Sequence, residues 1–231
     1  GTSSCEIDGV TYHAPSTDLN GDPCPNPAGS SPDMGAIESP YAAHVITAAW
    51  NWWQPAENPV LMPGSIGTWD DVDIFAPDVL FLEGQYHMWY VGSDGNRYKI
   101  GHATSENGVD WLRDPANPVL TSEPTSWQAQ NLNVPRVLLV GDTLHMWFWT
   151  DGRAGHATST DGISWTFTPD PVMEGTLGTW DGGMVVIADV IYRDSVFHAW
   201  YTGESSGVYA IGYATSTDGI VWDKLADPVF E

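Results

Sequence analysis

The sequence predicts an all-β protein, a β-propeller of four-stranded blades, and three observations predict it. One pattern occurs three times, and its first tryptophans, Trp69, Trp127 and Trp180, are 58 and then 53 residues apart. Each copy contains four short runs with the apolar or alternating pattern of β-strands. No segment shows the sustained periodicity and the caps of an α-helix. Repetition of a four-stranded unit at this length is typical of propeller blades.

Each repeat reads as four strands in succession. The first is an apolar run that ends in a short turn, and the second is rich in aromatic residues around a repeated histidine. The third contains the tripeptide Ala-Thr-Ser, and an Asn-Gly or Asp-Gly pair then predicts a tight hairpin turn into the fourth. The predicted first strands span 76–82, 134–140 and 187–192. The glycine pairs are Asn107-Gly108, Asp161-Gly162 and Asp218-Gly219.

The repeats place the blades at about 63–120, 121–173 and 174–231, within a propeller region that spans 51–231. Propellers typically close with about 4–8 blades, so three blades leave the ring open. Three solutions stay open: residues 1–50 form a degenerate fourth blade, a second chain completes a six-bladed ring as a homodimer, or the chain is a fragment of a longer propeller. The Pro- and Gly-rich run 16–38 favours instead an irregular N-terminal segment.

The composition excludes several classes of partner. Seven Lys and Arg face thirty Asp and Glu, which gives a net charge of −23 although only 16% of the residues are charged. Such an acidic chain repels phosphate, so we expect neither nucleic acid nor an anionic membrane as a partner. A hydrophobic content of 42% with thirteen Trp argues against disorder. No apolar run approaches the roughly 20 residues of a membrane helix.

The two cysteines bear on the compartment. Cys5 and Cys24 are the only ones, and in an oxidising compartment they could bridge the N-terminal segment, the alternative being two free thiols. The chain starts at Gly1 with neither an initiator Met nor a signal peptide, as a mature form would. We therefore expect an extracellular or periplasmic protein.

Nothing in the sequence requires a cofactor. The repeated His87, His145 and His198 are expected to be packed or bonded between strands rather than to form a metal site, because equivalent positions on separate blades need not converge. The run 18–22 alternates oxygen-bearing side chains as calcium loops do, but it lacks the distal glutamate of an EF-hand. Calcium is the one ion that the sequence leaves open.

The pattern GTWDD…APDVLFLEGQYHMWYVGSD…IGHATSENGVDW…NPVL, which runs through the first blade and recurs in the other two, resembles the five-bladed propeller glycosidases. Glycoside hydrolase families 43, 32 and 130 and their uncharacterised relatives are the most similar in pattern. The resemblance implies a carbohydrate-active protein that cuts or transfers sugars at a central funnel, with a poly- or oligosaccharide as its ligand.

Glycoside hydrolysis needs two carboxyl groups that flank the scissile bond. In families 43 and 32 they stand on first strands, one or two residues before a proline-type position. The resemblance carries these slots onto Phe75-Ala76, Asn133-Val134 and Val186-Ile187, and none is acidic. Two functions therefore stand: a glycoside hydrolase with displaced carboxylates, or a non-catalytic module that binds glycan or mediates assembly.

Displaced carboxylates lie at the blade entrances. Asp71 and Asp73 precede the first blade and Asp181 precedes the third, so Asp71 or Asp73 is a candidate base and Asp181 its partner. Asp73 is two residues before a slot and should point to the same side of its strand as Phe75. The alternative for all three is a solvated turn.

Two further sets are candidates for substrate binding. Asp78, Arg136 and Asp189 occupy one equivalent position on the three first strands, where Arg136 could fork to both carboxylates. Such a ladder would either join the blades or grip sugar hydroxyls. The entrance tryptophans, at Trp69, Trp127 and Trp180, could stack on sugar rings or pack between blades.

Overall fold

The computed structural model describes residues 4–7, 10–13, 56–122, 127 and 131–230. The chain divides into two compact units, Gly1–Pro55 and Ala56–Glu231, so the boundary falls five residues after the predicted start of the propeller region. Of the first unit the structure gives one antiparallel hairpin, β1 (Ser4–Ile7) paired with β2 (Val10–His13). The predicted degenerate blade, the cysteine bridge and the calcium run 18–22 otherwise lie outside the described residues.

The second unit contains three four-stranded antiparallel sheets, each a meander in chain order, which confirms the propeller blades. Across the described residues every named regular element is a β-strand, and no helix is long and apolar enough to span a membrane. The strands of the three blades are β3 (Asp73–Leu82), β4 (Gln85–Ser93), β5 (Lys99–Ser105), β6 (Leu112–Arg113); β7 (Asn133–Val140), β8 (Thr143–Thr150), β9 (Arg153–Ser159), β10 (Thr166–Phe167); and β11 (Met184–Arg193), β12 (Val196–Ser205), β13 (Val208–Ser216), β14 (Asp223–Lys224).

The first strands begin earlier than predicted because a β-bulge lets each of them continue past an irregular step. In β3, Ala76 and Pro77 together oppose the single residue Tyr90, and β7 and β11 shift register at the equivalent point. A proline has no N–H to give to the ladder, and a bulge removes the need for one. The same step puts Ala76 and Val134 at φ of 47° and 48°. Left-handed backbone is strained for any residue with a β-carbon, and most of all for valine.

The first strands are also the inner strands, since β3 lies against β7 and β7 lies against β11. Apolar side chains fill the space between neighbouring blades. The cluster between the first and second blades is built on Trp89, Leu132 and Met146, and the one between the second and third on Trp147 and Val185. The stable unit is therefore a pair of adjacent blades, each of which buries the face of the other.

A tryptophan on the second strand fixes each blade to the next. Trp89 donates its indole N–H to the carbonyl of Gly162 at 2.9 Å and meets Trp165 edge-on, with 6.2 Å between ring centroids. Trp147 repeats this contact one blade later, with the carbonyl of Gly219 at 2.8 Å. We call this contact the indole clamp. It ties the core of one blade to the loop between the third and fourth strands of its neighbour.

That loop is longer than predicted. Six residues, rather than a tight two-residue turn, connect Ser159 to Thr166, although β9 and β10 do form the predicted antiparallel hairpin. The Asp161 carboxylate accepts hydrogen bonds from the N–H groups of Ile163 and Ser164 at 2.8 and 2.7 Å. These two hydrogen bonds, and most of all the one from Ser164, lower the pKa of Asp161 to about 2. The Asp161 side chain thus holds the six-residue loop in its conformation.

We expect Asp161→Ala to lower the free energy of unfolding by about 1 kcal/mol, because two backbone donors lose their acceptor. Asp161→Asn should cost much less, since Asn107 forms the equivalent contacts with its amide oxygen. An Asp with a lowered folded-state pKa adds stability above its unfolded pKa, and that stability is lost as the pH falls through about 2. Urea unfolding at pH 7 and pH 3 should therefore show the advantage of the wild type over Asp161→Asn shrinking in acid. An advantage that stays constant with pH would contradict this.

Candidate functional site

Three rows of equivalent residues line the inner strands. The mouth row lies before the strands or at their first residue, the slot row carries the family positions, and the ladder row follows the bulges. Each row takes one residue from each blade in order. The mouth row is Asp73, Asn131 and Met184, the slot row is Phe75, Asn133 and Val186, and the ladder row is Asp78, Arg136 and Asp189.

The ladder row joins the blades, but without the predicted fork. Arg136 donates from Nε to the carbonyl of Ala188 in the third blade at 2.5 Å, and from Nη1 to the carbonyl of Pro135 at 2.7 Å. The prediction that Arg136 bridges two carboxylates was wrong, because carbonyls freed by the bulges take up its donors. Asp78 instead accepts from the N–H of Val137 in the second blade at 2.7 Å.

The space at the ladder row is small. Asp78, Arg136 and Asp189 surround a cavity of about 20 Å³ together with Trp147. That is room for about one water molecule and not for a sugar ring. Burial raises the pKa of Asp78, although the Val137 N–H and the Arg136 charge oppose it. The geometry fits contacts between blades rather than a grip on a ligand.

Asp181, the predicted catalytic partner, is enclosed in the third blade. Its carboxylate lies 2.6 Å from Lys224 Nζ, accepts from the Thr176 N–H at 2.9 Å and contacts the hydroxyl of Tyr201 at 3.3 Å. Burial raises its pKa, but Lys224 and the hydrogen bonds outweigh burial and hold the pKa below its ordinary value. Asp71 and Asp73 lie two blades away, and β3 does not touch β11.

The first blade contains the same arrangement. Asp70 is 1% exposed, pairs with Arg113 Nε at 2.8 Å and accepts from the Tyr90 hydroxyl at 3.1 Å. In the second blade Phe148 and Phe167 take the places of the tyrosine and the cation, with 5.7 Å between their ring centroids. In the sequence Gln128 follows Trp127 where an aspartate follows Trp69 and Trp180, so the acid, the tyrosine and the cation change together as one structural unit.

The structure leaves Asp73 as the accessible carboxylate of the three candidates. Asp71 is half-buried and accepts from the Gly67 N–H at 2.6 Å, so it closes the turn before β3. Asp73 is exposed at the first residue of β3 and pairs with Ser93, while Phe75 pairs with Val91. Alternate residues of a strand share a face, so Asp73 and Phe75 lie side by side as predicted.

An aromatic pair stands beside Asp73. Phe75 is 37% exposed and meets Tyr98 edge-on at 5.1 Å between ring centroids. The Tyr98 N–H donates to the side chain of Asn131 at 2.8 Å, which ties the pair to the second blade. Sequence reasoning missed Tyr98 and Asn131. No length difference marks Tyr98 in the sequence, because His87 and Gly101 are 14 residues apart, as are His198 and Gly212 in the third blade.

The entrance tryptophans pack within their own blades. Trp69 lies 5.7 Å from Tyr90, against Gly101, where a β-carbon would come within 2.6 Å of the indole. Trp180 stacks on Tyr201 at 5.5 Å, and its N–H donates to the carbonyl of Ala226. Trp127 donates to the carbonyl of Pro169 at 2.7 Å. Each ring is half-buried by these contacts.

The repeated histidines bond to the neighbouring strand. His87 faces His102 at 3.1 Å, His145 faces His156 at the same distance, and His198 faces the hydroxyl of Tyr213. Burial, followed by the charge of His145, lowers the pKa of His156 to about 4, so this imidazole is neutral at pH 7. Over the described residues no three His, Cys, Asp or Glu side chains converge in a way that could hold a metal ion.

We expect Lys224→Met to lower the free energy of unfolding by about 3 kcal/mol, because it leaves the Asp181 carboxylate buried without its cation. Adding Asp181→Asn should cost less than the sum of the two single changes. Lys99→Met is the matched control, since Lys99 lies 3.9 Å from Asp94 at the surface. That pair should contribute about 0–1 kcal/mol. Urea denaturation of the wild type, the three single variants and the double variant measures these losses, and equal losses for the two lysines would contradict the prediction.

The chain has sequence similarity to known proteins. No protein-family model matches the chain. Two uncharacterized proteins of Mycobacterium tuberculosis, from strains CDC 1551 and H37Rv, are each 28% identical over 187 residues, or 74% of this chain. The chain spans 60% of the length of these relatives.

Solved structures share the fold. A putative glycoside hydrolase from Parabacteroides distasonis has a TM-score of 0.58 at 20% identity, over 75% of this chain and 59% of that one. A family 117 glycoside hydrolase from Zobellia galactanivorans has a TM-score of 0.59 at 16% identity, over 71% and 59%. A family-43 glycoside hydrolase has a TM-score of 0.55 at 19% identity, over 71% and 57%. The chain therefore has the fold of the propeller-type glycoside hydrolases.

Proposed function

We propose that this protein is a carbohydrate-active propeller that binds a poly- or oligosaccharide where Asp73, Phe75 and Tyr98 meet. The observation that carries the proposal is the aromatic pair of exposed Phe75 and half-buried Tyr98 beside an accessible carboxylate at the mouth of the inner strands. Sugar rings offer C–H faces to aromatic side chains and hydroxyls to carboxylates and amides. Ligand sites of this kind combine an aromatic surface with a few polar groups.

The fold supports a carbohydrate as the ligand. The structural neighbours are glycoside hydrolases, and one belongs to family 130, whose hydrolases target β-1,2 mannosidic linkages in Candida mannan. That linkage belongs to the neighbour, and no particular sugar follows for this chain. A glycan ligand fits a place outside the cytoplasm, in the periplasm or the extracellular space, and needs no cofactor.

Hydrolysis is the second candidate. It is favoured by Asp73, an exposed carboxylate two residues before the slot at Phe75. Both retaining and inverting enzymes place a second carboxyl group about 5–9.5 Å from the first. The slot row offers none, and Asp181 is taken up by Lys224. Binding therefore ranks ahead of hydrolysis.

A panel of plant and microbial polysaccharides tests the proposal by affinity electrophoresis and by the release of reducing sugar. We expect the wild type to be retarded by at least one polysaccharide and Phe75→Ala to bind it about tenfold less tightly, since an aromatic contact contributes about 0.5–1.5 kcal/mol. Phe81→Ala is the matched control. Phe81 stands on the same strand, is 59% exposed and pairs with Tyr86 at 4.7 Å.

The same panel separates the two candidates. Sugar released by the wild type and lost in Asp73→Asn or Asp71→Asn, with binding retained, would establish hydrolysis. Binding without release would establish a binding propeller. No retardation and no release on any polysaccharide, or equal losses for Phe75→Ala and Phe81→Ala, would overturn the proposed site.

A further inference from the structure

The last blade exposes the residue that the other two blades bury in a neighbour. Trp89 and Trp147 are 0% exposed because each forms an indole clamp with the following blade. Trp200, at the equivalent position of the third blade, is 36% exposed. Leu80 and Leu138 pack on the next blade, while their equivalent Ile191 is 41% exposed. The third blade thus presents a complete donor face with no blade against it in this unit.

The first blade presents the matching acceptor face. The Gly162 carbonyl accepts two indoles, its own Trp165 and Trp89 of the preceding blade. The Gly108 carbonyl accepts from Trp111 at 3.0 Å and can take a second donor, because a carbonyl oxygen has two lone pairs. A groove of about 380 Å³ opens beside Trp111, lined also by Val109, Leu112, Pro59 and Val60, and by Glu57 and Asp110.

The inner strands repeat the same complementarity. Val137 and Val190 are each 6% exposed under a preceding blade, whereas their equivalent Val79 is 42% exposed. Asp78 accepts from the N–H that follows the ladder position of the next blade, at Val137. Asp189 holds the same position in the third blade and is exposed, and its carboxylate accepts a hydrogen bond from the N–H of Val190 in its own strand. At both the indole clamp and the inner strand, the two faces carry opposite halves of one contact.

We propose that a second copy of this chain docks head to tail, so that Trp200 of one copy enters the groove at Trp111 of the other and donates to the Gly108 carbonyl. The interface is the indole clamp continued between chains, with Ile191 opposite Val79. The interface is heterologous, so two copies close a ring if its rotation allows and otherwise extend the row of blades. The inference is independent of any sugar ligand.

Light scattering behind a size-exclusion column tests this on the 231-residue protein from micromolar to several hundred micromolar concentration. We expect a mass at least twice the 25.2 kDa of one chain at the top of the range. Trp200→Ala and Val79→Glu should each weaken association at least tenfold without lowering the temperature at which the monomer unfolds. Leu177→Ala is the control, because Leu177 is 93% exposed in a loop whose equivalent in the first blade, Ile66, is 101% exposed.

Mixing the two variants separates this geometry from any other dimer. Each variant keeps one intact face, so an equimolar mixture of Trp200→Ala and Val79→Glu should restore association through one interface. A wild type that stays at 25.2 kDa throughout would overturn the proposal and leave these faces to a blade from another chain. Association that survives both substitutions, or a mixture that stays monomeric while the wild type associates, would overturn it as well.

Discussion

The indole clamp is the contact on which the rest of the propeller depends. A tryptophan indole has one N–H donor, and here its acceptor is a carbonyl on the adjacent blade. The carbonyl belongs to a glycine with φ near 75° in a loop that a serine and an aspartate hold in shape. The indole ring contributes buried apolar surface to the cluster, and its N–H fixes how one blade is oriented against the next. Because both ends of the clamp belong to the repeat, one local pattern specifies both the blade and its position beside the next.

The blades show two ways of filling one interior position. The first and third use a buried carboxylate with a tyrosine and a cation, and the second uses two phenylalanine rings. Replacing a buried ion pair by well-packed apolar groups is often neutral for stability, so both solutions serve the same fold. A chain with thirty acidic residues and seven Lys and Arg commits two of those cations here. These carboxylates therefore pair with cations inside their own blades, and the joint replacement of all three residues in the second blade is the sequence sign of it.

The features that the sequence predicted correctly are the local ones that each repeat encodes. The three blades and their apolar strands were predictable, because alternation and repeated turns are local features. The bulges were not, since they depend on how a strand must bend to keep its place against β7 or β11. Arg136 was expected on carboxylates but binds carbonyls that the bulge frees. Asp181 looked like an entrance carboxylate because its partner Lys224 is 43 residues away. Tyr98 was missed because it lies between two repeated motifs rather than within one, and its contact with Phe75 depends on the fold.

The state of the two lysines has a chemical consequence. Lys224 Nζ donates to the Asp181 carboxylate, the carbonyl of Glu174 and the hydroxyl of Thr176, so each of its three N–H groups has an acceptor. Lys99 is the only other lysine in the sequence, and it sits on the loop side of the first blade near Asp94. An amine-reactive reagent would therefore modify Lys99 faster than Lys224, because the Lys224 amine must first break three hydrogen bonds.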